Sequence, residues 1–423
     1  MVETLKKYRF QEYLLIGSAL ILLLKSYETT FLFWAMAAVL SLRFRYSLTM
    51  LKIMGAYGAI LLIAAVSSFF YDHRIYDIFR DLAYLLKPIL GLMIGYNCAK
   101  VMGKKVLNVI LSAGFLLAVI HLLTLLFYFV VDGIRDMNML RLYGGYFDDL
   151  QIYVLIFVIF RKELGIEISQ KKAILMLTVV GISTVFYLAR TNIIQFFILF
   201  FAIKGYLRPT PRAIRSLLLI SAGVLLAYGA IYIYNPKRMG SGLDAFLYKV
   251  KIAPVEPFKT KINEEDWKDW NDNYRSFENI ITVRQVSSEG WTAIVFGKGM
   301  GSTIDLGREL WTNDLEFIRH IPTLHNSYMT VFLKSGLVGV LLLLFSIYQI
   351  QRQPRSSDPR IRVYNYLLTG SAIYLILSNW VFMGLYLKLD NKSMVIGALL
   401  AYRELLLRER NTNRTYPETN HAE

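Results

Sequence analysis

The chain has 423 residues, 55% of them hydrophobic and 18% charged, with a formal net charge of +16 and a mean hydropathy of +0.43. A water-soluble core of this length cannot hide so much apolar surface, so the composition excludes a soluble one- or two-domain enzyme and points to a polytopic membrane protein. The positive charge lacks the footprint of nucleic-acid binding, because Lys and Arg are scattered between apolar segments instead of gathered on one face or helix.

From the N-terminus, Lys6, Lys7 and Arg9 precede an apolar stretch, Tyr13 to Leu24. The arrangement is like a secretory signal, but no small-residue cleavage site follows and further apolar stretches do, so it reads as an uncleaved first helix. The pattern then predicts helices near 13–24, 29–42, 46–70, 78–99, 106–131, 146–160, 173–188, 191–207, 214–234, 326–350, 363–387 and 393–407. This is an all-α membrane bundle of about twelve spans. The only cysteine, Cys98, excludes an intrachain disulfide and any zinc site needing paired thiolates, and reads as an inert helix residue.

The connections sort by charge. One set carries Lys6, Lys7 and Arg9; Arg43 and Arg45; Lys100, Lys104 and Lys105; Arg161, Lys162, Lys171 and Lys172; Lys204, Arg208, Arg212 and Arg215; Arg352, Arg355, Arg360 and Arg362; and the tail from Arg403 to Arg414. The alternate short loops hold only Lys25, Arg74, Arg135, Arg141, Arg190, Lys388 and Lys392. The positive-inside rule makes the first set cytoplasmic, with both termini inside. The alternation holds only if a turn falls between Tyr187 and Thr191, which puts Arg190 at an outer mouth.

The same count sends the long segment from Asn235 to Leu324 to the non-cytoplasmic face, and a loop of that length is usually functional. The chain thus divides into N-terminal membrane helices (1–234), a large loop (235–325), C-terminal membrane helices (326–407) and a cytoplasmic tail (408–423). In the loop, Trp267, Trp270, Tyr274 and Trp291 alternate with Glu264, Glu265, Asp266, Asp269, Asp272 and many basic residues. "FENIITVRQVSSEGWTAIVF" reads as an amphipathic helix followed by a short apolar element, packed at the membrane surface. The tryptophans fit an interfacial aromatic belt equally well.

Polar candidates gather on this outer face. His325 stands where the loop re-enters the membrane, and Asn326 and Ser327 open the next helix as cap residues. An imidazole there can take a proton from a hydroxyl or hydrogen-bond a diphosphate near neutral pH; the plain alternative is an interfacial histidine satisfied by water. His320 lies in the same loop, beyond Pro322. Arg190, Arg275 and Arg284 can fork onto phosphate oxygens, although a single arginine at a helix end often only snorkels. "FGKGMGS" fails as a nucleotide signature and reads as a structural turn, with a phosphate cradle at Gly299 the alternative. Asp148 and Asp149, in "GGYFDDLQIY", suit the first turn of a helix against its macrodipole, with metal binding or base chemistry the alternative. No other acidic or histidine cluster has metal-ligand spacing on this face, so no metal is expected.

The ordered combination of "LARTNIIQFFILF", a long outer loop with "YRSFENI", "IVFGKGMGS" and "HNSYMTVFLKSGLVG", about Tyr187 to Leu344, resembles the O-antigen ligase and polymerase superfamily of polytopic membrane proteins. By that resemblance Arg190, Arg275 and His325 correspond to the superfamily's functional arginines and histidine. The family's usual tryptophan three residues after the loop arginine is Glu278 here, which leaves Arg284 a rival to Arg275. The resemblance implies a metal-independent, inverting transfer of a glycan from undecaprenyl diphosphate to an acceptor hydroxyl. It places the reaction at the periplasmic face of a bacterial inner membrane, with no cofactor and with a chain-length regulator among the expected partners. In this reading His325, Arg190 and Arg275 are catalytic, and Arg284, Asn326 and Gly299 are substrate-binding. A surface-polysaccharide polymerase is the first expectation; a ligase acting on lipid A core, or a protein glycosyltransferase, is the second. A lipid-linked oligosaccharide transporter is disfavoured, since no internal repeat or matched pair of broken helices occurs.

Overall fold

The computed structural model describes residues 2–145, 148–207, 211–237, 243–252, 259, 261–263, 265–311, 317–352, 356–388 and 391–415; of the residues singled out above, Arg208, Glu264 and Arg355 lie outside these. In chain order the elements are α1 (Val2–Leu20), α2 (Tyr27–Ser41), α3 (Leu48–Ser67), α4 (Ile75–Met102), α5 (Lys105–Val130), α6 (Met137–Gly144), α7 (Asp149–Ile159), α8 (Gln170–Phe186), α9 (Arg190–Ile203), α10 (Pro211–Tyr234), α11 (Leu243–Ile252), α12 (Trp267–Asp272), α13 (Tyr274–Ser288), α14 (Trp291–Phe296), β1 (Ile304–Trp311), β2 (Phe317–Ile321), α15 (Ser327–Gln351), α16 (Pro359–Val381) and α17 (Lys392–Thr415).

A helix covers part of each of the twelve expected stretches, although the first already begins at Val2 and the one expected to reach 387 ends at Val381, and local chemistry sets many of their starts. Ser26, Ser47 and Ser169 accept backbone amides at the N-termini of α2, α3 and α8, as Asp148, Asn326 and Asp358 do for α7, α15 and α16. Each such cap stabilises its helix by about 1 kcal/mol. The expected turn between Tyr187 and Thr191 is there: Leu188 adopts a left-handed φ of 47° and Arg190 opens α9.

Among the described residues, four helices are long and apolar enough to cross a membrane: Leu48–Phe70, Ile75–Met102, Lys105–Val130 and Ser327–Gln351. They carry large apolar side chains outward, such as Leu62, Val66, Leu123 and Leu126, as lipid-facing helices do. By contrast α7, with 11 residues, and α9, with 14, are about 16 and 21 Å long, short of a ~30 Å hydrocarbon layer.

The expectation of an all-α chain is corrected by an antiparallel hairpin of β1 and β2, paired Ile304 with Ile321 and Trp311 with Phe317 across an irregular register. Ile304, Leu306 and Ile321 face a core, while charged residues between them mask the strand pattern in the sequence. Gln285 of α13 holds the strand edge, donating to the carbonyl of Asp305 at 2.6 Å and accepting its amide at 3.0 Å. The Asp305 carboxyl, bound by the Arg319 guanidinium and the Gly307 amide, is lowered to about 2.

α12, α13, α14 and the hairpin form a cap. Trp270, Phe277, Val286, Ile304, Leu306, Ile321 and Leu324 pack together and onto Phe332 and Leu333 of α15. The cap is spliced into the bundle at a break in α15, where Gly336 has φ 64° and ψ −163°. In an unbroken helix the Leu333 and Lys334 carbonyls would accept amides four residues on. Here they accept the amides of Lys298 and Gly299 from the "FGKGMGS" turn, at 2.8 and 3.1 Å. A side chain at Gly336 would meet the Val295 carbonyl carbon at 2.3 Å, so both φ and space require glycine.

Below the turn lies a buried charge pair. Lys334 Nζ is 2.5 Å from Asp81 Oδ2, both side chains are 1% exposed, and Asp81 also accepts the Gly301 amide at 2.7 Å. Lys334 donates in addition to the Ser302 carbonyl. A second buried pair joins Lys392 to Asp149 at 2.6 Å, with the Tyr374 hydroxyl donating to the same carboxylate.

Contacts between connecting segments sort them to two ends. At one end Ser47 meets Tyr96, Tyr96 and Lys100 meet Glu404, Lys104 meets Glu167, and Arg410 meets Ser356. At the other, Lys25 reaches the Tyr143 carbonyl, Ser67 the Phe296 carbonyl, His73 the Lys298 carbonyl, and the Met383 amide donates to the His325 carbonyl. The basic connections lie at the first end and the sparsely charged ones, with the cap, at the second.

Candidate active site

His325 sits at the seam between cap and bundle. Its amide donates to Glu278 Oε2 at 3.1 Å, and its Nδ1 lies 3.0 and 3.1 Å from the two Glu278 oxygens. An ionised carboxylate only accepts, so Nδ1 carries the proton and Nε2 is left as the acceptor. The burial is asymmetric: the Glu278 side chain is 2% exposed and the imidazole 48%. The carboxylate is therefore fixed inside the protein, while the imidazole that it orients is half-exposed.

Helix periodicity builds this arrangement. Tyr274 and Glu278 are four residues apart on α13 and share a face. The Tyr274 hydroxyl donates to Glu278; burial first, and then the carboxylate's charge, pushes its phenol up. The Tyr274 ring meets the imidazole edge-on, centroids 5.8 Å apart. From the other side Asn326, 1% exposed, accepts the amides of Tyr328 and Met329 and so fixes the start of α15 one residue past the histidine. Its role in the structure is a cap.

Arg275 and Arg284 separate on the same helix. At about 100° per residue, Arg275 stands about 60° from Glu278 around α13, and Arg284 about 120° away in the opposite sense. Arg275 is half-buried and Arg284 exposed. Arg284 lines a cleft of about 510 Å³ with Lys261, Asn263, Asp269, Phe277 and Ile281, a set that includes neither His325 nor Glu278.

Arg190, half-buried, opens α9 at the bundle end that bears the cap. α9 and α16 pack with Gly370 against Leu199 and Ala202. Running antiparallel from that contact, they bring Arg190 level with the C-terminal end of α16, just before Met383 and its bond to His325. Gly299 is enclosed by protein: φ is 83°, its amide donates to Lys334, and an added Cβ would fall 2.3 Å from the Ser68 nitrogen. His320 pairs with Asp305 in the hairpin, apart from His325. Asp148 caps α7 and Asp149 is held by Lys392 and Tyr374, so both carboxylates have protein partners.

The residue that sequence reading passed over is Glu278. The available signal was its occurrence where the resembled family carries tryptophan, one helical turn after Tyr274. No protein-family model, curated protein or solved structure matches the chain.

Proposed function

We propose that the protein is a membrane glycosyltransferase that moves a glycan from undecaprenyl diphosphate to a hydroxyl acceptor on the periplasmic face of a bacterial inner membrane, in the manner of a surface-polysaccharide polymerase. The observation that carries this reading is the Glu278–His325 pair, a half-exposed imidazole held in one tautomer by a buried carboxylate. In the reaction, Nε2 of His325 takes the proton of the acceptor hydroxyl as its oxygen bonds to the anomeric carbon. The bond from that carbon to the diphosphate breaks on the opposite side, and its electron pair leaves with the diphosphate. Arg190 and Arg275 hold the departing group, where fixed positive charge lowers the barrier most. The proton on His325 then returns to water or to the released diphosphate.

The test is turnover of a lipid-linked glycan by purified protein. His325→Ala is expected to lower kcat by about a hundredfold or more at unchanged melting temperature. A variant that transfers glycan at near wild-type rate would end the reading of His325 as the base.

A further inference from the structure

Around α7, which packs against α5, α8 and α9, lies a set of buried polar side chains that the chemistry above does not use. Gln151 and Gln195 are fully buried, Asn192 is 1% exposed and His121 3%. Some of their polar atoms are paired. Gln151 Nε2 donates to Asp148 at 3.1 Å and lies 3.4 Å from the Tyr187 hydroxyl; Gln195 Nε2 lies 3.4 Å from the Asp149 carbonyl. His121 Nδ1 is 2.8 Å from Ser183 Oγ, and its ring stacks on Tyr187 at 3.9 Å.

The remaining atoms have no hydrogen-bond partner among the described residues: Gln151 Oε1, Gln195 Oε1, His121 Nε2, and both Oδ1 and Nδ2 of Asn192. Exchanging the amide oxygen and nitrogen of Asn192 changes nothing, since both are unpaired. Asn192 and Gln195 are one turn apart on the buried face of α9, two and five residues after Arg190. Buried polar groups left unpaired are costly, and a chain that keeps several of them side by side is built to pair them with something else.

We propose that this cluster binds the hydroxyls of the donor's sugar, next to the diphosphate held by Arg190; the inference rests on the donor assigned above. Three features select a polyhydroxylated ring. The unpaired set contains acceptors and a donor, and a hydroxyl is the ligand group that answers both. The unpaired amides are neutral, so they answer hydroxyls and offer nothing to balance a charged ligand. Arg190 opens the same helix, about 3 and 8 Å of axial rise before Asn192 and Gln195, so a lipid-linked sugar whose diphosphate it holds is within reach of the cluster.

The experiment compares undecaprenyl-diphosphate-linked glycan with bare undecaprenyl diphosphate, binding each to the full-length protein in nanodiscs. Wild type is expected to prefer the glycan-bearing lipid by about tenfold or more, because a site built to hydrogen-bond hydroxyls penalises a ligand lacking them. The double variant Asn192→Leu and Gln195→Met should lose that preference and keep its affinity for the bare lipid. Its melting temperature should stay close to that of wild type, since the variant removes three unpaired buried amide atoms at the cost of the long Gln195–Asp149 hydrogen bond. Equal affinity of wild type for the two lipids, or a preference that survives in the variant, would overturn the sugar site while leaving the diphosphate reading in place. So would a melting temperature that falls together with both affinities, which would mark the amides as structural. Failure to bind either lipid would overturn this inference and the proposed function together.

Discussion

At the scale of single residues, the proposed site depends on a carboxylate that positions the His325 imidazole. Glu278 accepts the His325 amide, the His325 ring N–H and the Tyr274 hydroxyl, so its removal releases the imidazole from one tautomer and one orientation. Glu278→Ala is expected to lower kcat on the order of a hundredfold with KM for the donor nearly steady, since the interaction serves the reacting step. A rise in KM at constant kcat would make Glu278 a binding residue instead. Arg190→Lys keeps the charge but loses the planar fork; turnover should fall at least about tenfold, whereas an arginine that only snorkels would tolerate the change. That His325 and Arg190 stand at helix starts was legible in the sequence, because each lies at the edge of an apolar run and one residue suffices to mark it. Glu278 was not, since its partner is 47 residues away and an acid on an amphipathic helix looks solvated until the fold buries it.

At the scale of elements, the cap is attached through the broken middle of α15. Gly336→Ala should reduce folded yield sharply, because it strains a left-handed backbone and drives a methyl into Val295. The buried pair beneath the break offers a cleaner measurement. Lys334→Met alone leaves Asp81 with only the longer contact to Arg80 and should cost about 3–5 kcal/mol of stability, while adding Asp81→Leu should recover part of the loss, less what the freed Gly301 amide costs. Unfolding of the two variants in detergent checks this, and equal destabilisation of both would show that the pair contributes more than mutual neutralisation. Helices were readable from apolar periodicity, but these pairings were not. Asp81 and Lys334 are 253 positions apart, and each alone is only a charge in an apolar stretch. The hairpin was missed for a related reason: its register is irregular and its inward residues, Ile304, Leu306 and Ile321, are too few to outweigh the charges between them.

At the scale of the molecule, the charge pattern and the contacts agree on which connections share an end of the bundle, and the proposed orientation assigns those ends to compartments. The single native cysteine, Cys98, is buried, so introduced cysteines can report accessibility with little background. In intact cells a membrane-impermeant maleimide should label Ser288→Cys, exposed on the cap, and should label Ser169→Cys, exposed at the opposite end, only after permeabilisation. The reverse result would invert the topology and remove His325 from the periplasmic face.

The splice at Gly336 also bears on how the chain is made. The amides of Lys298 and Gly299 leave the ribosome before the α15 carbonyls that they satisfy. Those carbonyls lie inside a helix apolar enough to enter a bilayer, where an unpaired backbone group costs several kcal/mol. α15 can therefore become a stable part of the bundle only once the turn that precedes it has been delivered to the correct side and folded against it. A chain whose cap is misdelivered would retain a helix with unpaired backbone carbonyls at the break. Stable packing of α15 is thus tied to correct placement of the cap.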